Sequence, residues 1–174
     1  MSNISNETTF VGRERARFKD ELVNFYSQQS YSHVLTLAWN RDAGPIPTLR
    51  RNISLPQARS DIGKLLGRID RRLYGTDFHK SPDRTRAVFF MEKVKDNLHA
   101  HGLIHVPSDR LLSLHRLLPG ERGGVWNDVV AAGSYKLEML HDPHTTIAYI
   151  VKEQHLDADD RTIIWSDEFI AKAH

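Results

Sequence analysis

The chain has 174 residues, of which 24 are Lys or Arg, 22 are Asp or Glu and none is Cys. This length fits one domain with an ordinary core, and the lack of cysteine excludes disulfides and thiolate metal sites. The polar first residues and the lack of any apolar run near the ~20 residues of a membrane span predict a cytoplasmic protein without a membrane partner. We expect a flexible N-terminal arm over 1–11 and a single domain over 12–174.

Helical and alternating patterns predict the secondary structure. In chain order they predict a helix over 12–29, a strand over 33–39, a helix over 56–73, strands over 87–93 and 98–106, a helix over 108–118, a strand over 135–140, a helix over 142–153 and a final strand or short helix. Glycine and proline make 40–52 a loop. This order indicates an α+β fold with an antiparallel sheet, in which helices lie mainly on one face and leave the other face open.

Positive charge is concentrated in the segment 41–86, which holds eleven basic and five acidic side chains. Three of the basic residues, Arg68, Arg71 and Arg72, project away from the apolar stripe of the predicted second helix. Such an uneven distribution indicates one basic surface for a polyanion, with nucleic acid as the leading class. The alternative is a solvated helix face with local counter-charges.

The segment 98–106 has the clearest strand pattern in the chain. Its apolar positions are Leu98, Ala100, Gly102, Ile104 and Val106, and the positions between them are His99, His101, Leu103 and His105. Because strand side chains alternate, the imidazoles share one face. The preceding strand, rich in apolar residues, joins this one through a turn over 95–97 and makes a β-hairpin.

A carboxylate is predicted to lie beside these histidines. A two-residue turn at 96–97 would place Glu92 opposite His101, and a turn at 95–96 would place it opposite His99, with opposed side chains roughly 5 Å apart. Two imidazoles and one carboxylate suit Mg²⁺, Mn²⁺, Zn²⁺ or Fe²⁺ and leave one side open for substrate. A three-residue turn would break the arrangement. A chance His-x-His pair is the alternative in a chain with ten histidines.

Tyr149 and Lys152 form the second candidate group, because positions three apart share a helix face. A tyrosine with a pKa near 10 is a weak nucleophile unless its target is activated, and a metal ion that polarises a phosphodiester would activate it. Lys152 would balance phosphate charge or favour the phenolate. The alternative is a core tyrosine followed by a solvated lysine.

Together and in this order, the motifs resemble those of the HUH endonucleases. His99-Ala-His101 followed about fifty residues later by Tyr149-Ile-Val-Lys152 is similar to the single-tyrosine rolling-circle replication initiators (Rep proteins). The segment 35–40, Leu-Thr-Leu-Ala-Trp-Asn, resembles their first motif, and the likeness covers roughly 33–153. The residue between the histidines is alanine, where the family often has a bulkier apolar residue, and we expect no helicase domain to follow.

The resemblance implies a five-stranded antiparallel sheet of RRM or ferredoxin-like type with a divalent cation, Mn²⁺ or Mg²⁺, on its open face. His99 and His101 would be ligands and Glu92 the third. Tyr149 would attack a phosphate in single-stranded DNA at an origin or hairpin, giving a 5′-phosphotyrosine and a free 3′-hydroxyl, while Lys152 would position the phosphate or the metal. A prokaryotic, plasmid- or phage-encoded protein with a host helicase as partner is the implied setting.

The residues predicted to bind DNA are Asn40 and Arg41 at the end of the first strand, with Arg68, Arg71 and Arg72 on the second helix. Two other functions stay open. A transposase-like nickase of the same superfamily shares the motif order. A binding module of RRM type would hold single-stranded nucleic acid without cleavage, stacking bases on Trp39, Phe89 and Phe90. Other metalloenzymes fit less well, since a metallo-β-lactamase-type site would need Asp at position 103, which is Leu.

Overall fold

The computed structural model describes residues 3–40, 53–80, 84–93, 98–154 and 162–169, without the side chains of 3–11 and 153. The elements are α1 (Asn3–Ser27), β1 (His33–Ala38), α2 (Leu55–Tyr74), β2 (Arg86–Glu92), β3 (His99–His105), α3 (Leu111–Leu117), α4 (Gly124–Asn127), β4 (Ser134–Met139), α5 (Pro143–Ile150) and β5 (Ile163–Trp165). Short 3-10 turns follow at Phe78–Lys80, Ser108–Arg110, Val151–Glu153 and Ser166–Phe169.

The five strands form one sheet in the order β4-β1-β3-β2-β5, and every neighbouring pair is antiparallel. The histidine strand β3 lies in the centre, between β1 and β2. The predicted α+β fold with a five-stranded antiparallel sheet is therefore confirmed. A central position fixes β3 by hydrogen bonds on both sides, which makes it a rigid support for a site.

One face of the sheet is covered by α2. The Ser54 hydroxyl accepts a hydrogen bond from the Gln57 N–H at 3.3 Å and caps the start of the helix, while Gly75, with φ of 83°, ends it in a conformation that favours glycine. The helix buries an apolar stripe against the strands. The buried cluster includes Ile62, Leu65, Leu66 and Ile69 from α2 and Leu35, Leu37, Phe89, Ala100 and Ile104 from the sheet.

Helices also cover the other face, which carries the histidines. A second cluster joins Val23 and Tyr26 of α1 and Ile147 and Ile150 of α5 to Val34, Val88, Phe90 and Leu103 of the sheet. The prediction of helices mainly on one face, with an open face opposite, is therefore wrong. The physical reason is that the strands alternate apolar residues with the polar ones on this face too, and burying those apolar side chains is favourable.

α1 begins at Asn3 and is 25 residues long, so the helix runs through the segment predicted as a flexible arm. Once a helix is nucleated, each further residue adds one backbone hydrogen bond, which allows a polar segment to continue it. The limits of the domain stay a prediction. None of the helices in the described ranges combines the length and the apolar character needed to cross a bilayer.

A buried histidine at the start of β1 gives the fold a pH dependence. His33 is 1% exposed, with Nδ1 at 2.9 Å from Ser32 Oγ and Nε2 at 3.1 Å from Nε2 of His115. Burial, reinforced by the nearby His115, lowers the pKa of His33 below its usual value of 6.5. A contact between two ring nitrogens needs at least one neutral imidazole, and the lowered pKa keeps His33 neutral.

We expect acid to destabilise the wild type more than the variant His33→Gln. Because the folded pKa is lowered, the unfolded chain binds more protons, so the stability from neutral His33 is complete above pH 6.5 and is lost as the pH falls below that value. Urea unfolding between about pH 7.5 and about pH 5.5 measures the difference. The exposed-histidine variant His79→Gln should keep the wild-type dependence. Identical pH dependence in His33→Gln and wild type would contradict this role.

Candidate functional site

The predicted ligands lie on the β2–β3 hairpin. Glu92 pairs with His99, and Phe90 pairs with His101. This register is the second of the two predicted for a two-residue turn, in which the carboxylate lies opposite the first histidine. The turn at 94–97 lies outside the described residues. Because Glu92 and the two histidines share one face, a diagonal contact between neighbouring strands is also within reach of long side chains.

Glu92 connects the two parts of the site. Although the residue is only 7% exposed, its Oε2 accepts a hydrogen bond from Nε2 of His101 at 2.8 Å, and its Oε1 lies 3.2 Å from Nζ of Lys152. Burial alone would raise the pKa of Glu92, but the hydrogen bonds from His101 and Lys152 outweigh it, so the pKa is lowered. Glu92 is therefore a carboxylate at neutral pH, paired with an ammonium group.

Thr36 of β1 fixes the ring of His101 from the other side. Its Oγ1 lies 3.1 Å from Nδ1 of His101, and an ionised Glu92 can only accept, so Nε2 carries a proton and the hydroxyl can donate to Nδ1. A hydroxyl can also accept. If Nε2 gave up its proton to bind a cation, the proton of the neutral ring would be on Nδ1, and Thr36 could accept a hydrogen bond from it. A neighbouring acceptor usually orients a metal-bound histidine in this way.

Tyr149 lies on α5 with its side chain at the surface. The Asp142 carboxylate accepts a hydrogen bond from the Thr145 N–H at 3.1 Å and caps this helix. The Tyr149 ring is 58% exposed, and its centre lies 6.0 Å from that of His101, with the planes at 78°. The alternative of a core tyrosine is thus excluded. The phenol is accessible and lies beside one of the predicted metal ligands.

Lys152 lies in the 3-10 turn Val151–Glu153 after α5, rather than in the helix itself. Its Nζ is 3.7 Å from the centre of the Tyr149 ring. Interaction with Tyr149, reinforced by the Glu92 carboxylate, raises the pKa of Lys152. Lys152 therefore stays charged at neutral pH and supplies positive charge rather than a base. The Lys19 ammonium of α1 donates to the Lys152 carbonyl and holds the turn against α1.

A cleft of about 210 Å³ opens beside Tyr149 and His101. Its lining comes from β1, β3, β4 and α5 and consists of Val34, Thr36, His101, Glu138, Met139, Thr146, Tyr149 and Ile150. It is smaller than the roughly 300–1,000 Å³ of pockets that enclose a whole small molecule. A substrate that enters it would place only a short part of a longer chain there.

The predicted metal site is assembled in part. Nε2 of His101 and Oε2 of Glu92 are 2.8 Å apart, close to the ~3 Å between neighbouring ligands of an octahedral cation with bonds near 2.1 Å. His99 is half-buried on the same face. Within the described ranges, however, no group of three or more His, Cys, Asp or Glu side chains is close enough to hold a metal ion. The three-ligand site stays a prediction.

The residues predicted to bind DNA do not all lie near this cleft. Asn40 follows β1 and is half-buried, and Arg41 lies outside the described residues. Arg68, Arg71 and Arg72 lie on α2, on the sheet face opposite the one that carries His101 and Tyr149. The structure therefore separates these three arginines from the tyrosine and the histidines.

The aromatic residues proposed to stack bases are all part of the core. Phe89 and Phe90 are fully buried, and Trp39 is 5% exposed. The predicted stacking surface for a binding module is therefore wrong, because apolar strands need these rings to fill both faces of the sheet. Thr36 was not among the predicted site residues, although a polar residue inside the apolar segment 34–38 is a signal that a partner is needed.

Comparison with known proteins gives no match: no family model, no curated protein and no solved structure is significantly similar to this chain.

Proposed function

We propose that this protein is a metal-dependent, sequence-specific nickase and strand transferase of single-stranded DNA that forms a 5′-phosphotyrosine intermediate, as rolling-circle initiators of the HUH superfamily do. One observation carries the proposal. The exposed Tyr149 lies against His101 and Lys152, and both of these contact Glu92. A nucleophile, a lysine ammonium group and two potential metal ligands are therefore joined by contacts, in the motif order on which the resemblance rests. Tyr149 and His101 of this group also line the cleft.

Each residue has a distinct role in the proposed reaction. The Tyr149 oxygen attacks the phosphorus and gives up its proton, while the bond from phosphorus to the 3′-oxygen breaks. The leaving 3′-oxygen gains a proton and becomes a hydroxyl, and the 5′-phosphate of the DNA stays on the tyrosine. Lys152 is held charged by its neighbours, so it stabilises the phenolate and the phosphate. The free 3′-hydroxyl can later attack the same phosphorus, which returns the phenol and joins the strands.

The cation would be held by His101 and Glu92, with His99 as the third ligand after a change of side-chain conformation. When bound, Mg²⁺ or Mn²⁺ supplies Lewis-acid stabilisation of the charge on the phosphate. Thr36 keeps the His101 ring oriented. From β1 to β4 the elements run β-α-β-β-α-α-β. This is the ferredoxin-like order with two short helices in place of the second helix, and it supports the proposed RRM-like type of sheet. The proposed substrate is single-stranded DNA at an origin or hairpin, and the proposed partner is a host helicase.

A pool of random single-stranded oligonucleotides tests the proposal without knowledge of the nick site. With Mn²⁺ or Mg²⁺, the protein should form a complex that survives denaturing electrophoresis, and sequencing of the attached DNA should give a preferred 5′ end. A chelator should prevent the complex. Tight binding that never becomes covalent would favour a non-catalytic binding module instead.

A further inference from the structure

The outer face of α2 carries a stripe of positive charge, here called the α2 stripe and formed by Lys64, Arg68, Arg71 and Arg72. These positions fall within about 100° of the helix circumference and span about 12 Å along its axis. The stripe is on the side of α2 away from its buried residues. Together with Gly67 and Phe78 it lines a shallow cavity of about 510 Å³.

The α2 stripe is costly for the free protein. Lys64 with Arg68, and Arg68 with Arg72, are like charges at the i, i+4 spacing, which destabilises a helix. The counter-charges on this side are weak. Arg68 is 3.7 Å from Asp128, with both side chains about half exposed, and Lys64 is 3.4 Å from Asp61. Within the part of the chain that the structure describes, the charge of the stripe is thus only partly balanced by acidic side chains. Its last arginines also suit the negative end of the helix dipole.

The location of the α2 stripe separates it from the proposed nick site. α2 packs on one face of the sheet, whereas Tyr149 and His101 lie on the other face with α1 and α5. A strand in the cleft would have to pass around the edge of the sheet to reach α2. The stripe is therefore suited to a separate segment of polyanion.

We infer that the α2 stripe binds the phosphate backbone of duplex DNA. Each strand of duplex DNA has one phosphate per 3.4 Å of helix axis. Because the strand also winds around that axis, successive phosphates are farther apart than this rise, and a 12 Å row of four cations reaches about two or three of them. Single strands are usually held by several aromatic side chains that stack on bases. Among the described residues that line the cavity, one is aromatic, Phe78, which is half-buried with the Arg84 guanidinium 5.2 Å from its ring centre. This inference goes beyond the proposed nicking and does not depend on it.

The test uses the full chain and a blunt 20–30 base-pair duplex of arbitrary sequence, with chelator present so that no strand is cut. We expect Arg71→Gln/Arg72→Gln to weaken duplex binding roughly 10- to 100-fold near 0.1 M salt, because each lost phosphate contact removes about one unit of salt slope. The slope of log K against log salt should become less steep by about 2. Fluorescence anisotropy at several salt concentrations measures both quantities.

Two matched variants control for folding and for total charge. Arg71→Lys/Arg72→Lys keeps the charges and should keep both the affinity and the salt slope. Arg13→Gln/Arg17→Gln removes two charges from α1 on the other face of the sheet and should leave duplex binding within about threefold of wild type. Three results would overturn the inference. The α1 and α2 variants could lose duplex affinity equally. The arginines could bind an unpaired strand more tightly than the duplex, or the protein could bind anionic vesicles but no duplex.

Discussion

Tyr149→Phe should abolish the covalent protein–DNA complex. Loss of a covalent nucleophile lowers a rate by on the order of 10⁴-fold or more, and a phenyl ring has no oxygen that could take its place. Binding of an uncut strand should be nearly unchanged, because the exposed ring of Tyr149 is kept. The measurement is the fraction of labelled oligonucleotide that migrates with the denatured protein, together with the affinity measured in chelator.

Tyr135→Phe is the matched control for this substitution. Tyr135 is buried on the α2 side of the sheet, where its hydroxyl accepts a hydrogen bond from the Gly120 N–H at 3.2 Å. Its loss should cost some stability but leave the adduct intact. If Tyr149→Phe still formed the adduct at the wild-type rate, a different residue would be the nucleophile and the proposed chemistry at this cleft would be wrong.

The second large effect is expected for His101→Ala. This change removes the imidazole that contacts Glu92 at 2.8 Å and leaves the carboxylate with Lys152 alone. Loss of a residue that binds the metal directly should reduce Mn²⁺ affinity by more than about 100-fold. Even removal of a residue that only hydrogen-bonds to a metal ligand typically lowers metal affinity 10- to 100-fold. Cleavage should disappear with it. Electron paramagnetic resonance of free Mn²⁺ during titration measures the affinity independently of cleavage.

His105→Ala provides the comparison within the same strand. His105 alternates onto the same face as His101 but lies at the far end of β3, where it pairs with Arg86. Because it is not part of the contacts around Glu92, its removal should leave Mn²⁺ affinity and cleavage largely unchanged. Equal losses in both variants would indicate that the substitutions act through the fold, and cleavage that persists in chelator would exclude a metal role.

The central features of the site could be predicted because they depend on short-range rules. Alternation with period two placed His99 and His101 on one face of a strand. A two-residue turn allowed two registers that bring Glu92 beside them, and one of these is present. Spacing of three residues brought Tyr149 and Lys152 together, although the helix ends between them. A 3-10 turn places residues i and i+3 above one another. Tyr149 and Lys152 therefore stay in contact although α5 ends before Lys152.

Other features depend on packing that a local pattern does not encode. The amphipathic pattern of α2 predicted which of its sides faces outwards, but not which face of the sheet it covers. The sequence therefore could not show that Arg68, Arg71 and Arg72 lie on the opposite side of the sheet from Tyr149. The apolar residue Phe90 shares the histidine face, and only the tertiary structure reveals that α1 and α5 bury it. The polar position of Thr36 in an apolar strand indicates a need for a partner, but not that the partner is His101, which is distant in sequence.

Mass spectrometry of the trapped complex tests the central claim most directly. After digestion of the denatured protein–DNA adduct with protease and nuclease, the account predicts one modified peptide, with a 5′-linked nucleotide on the Tyr149 oxygen. Its yield should depend on Mn²⁺ or Mg²⁺. A nucleotide on any other residue, or full cleavage with no covalent species at all, would contradict the assignment of this phenol as the group that attacks DNA.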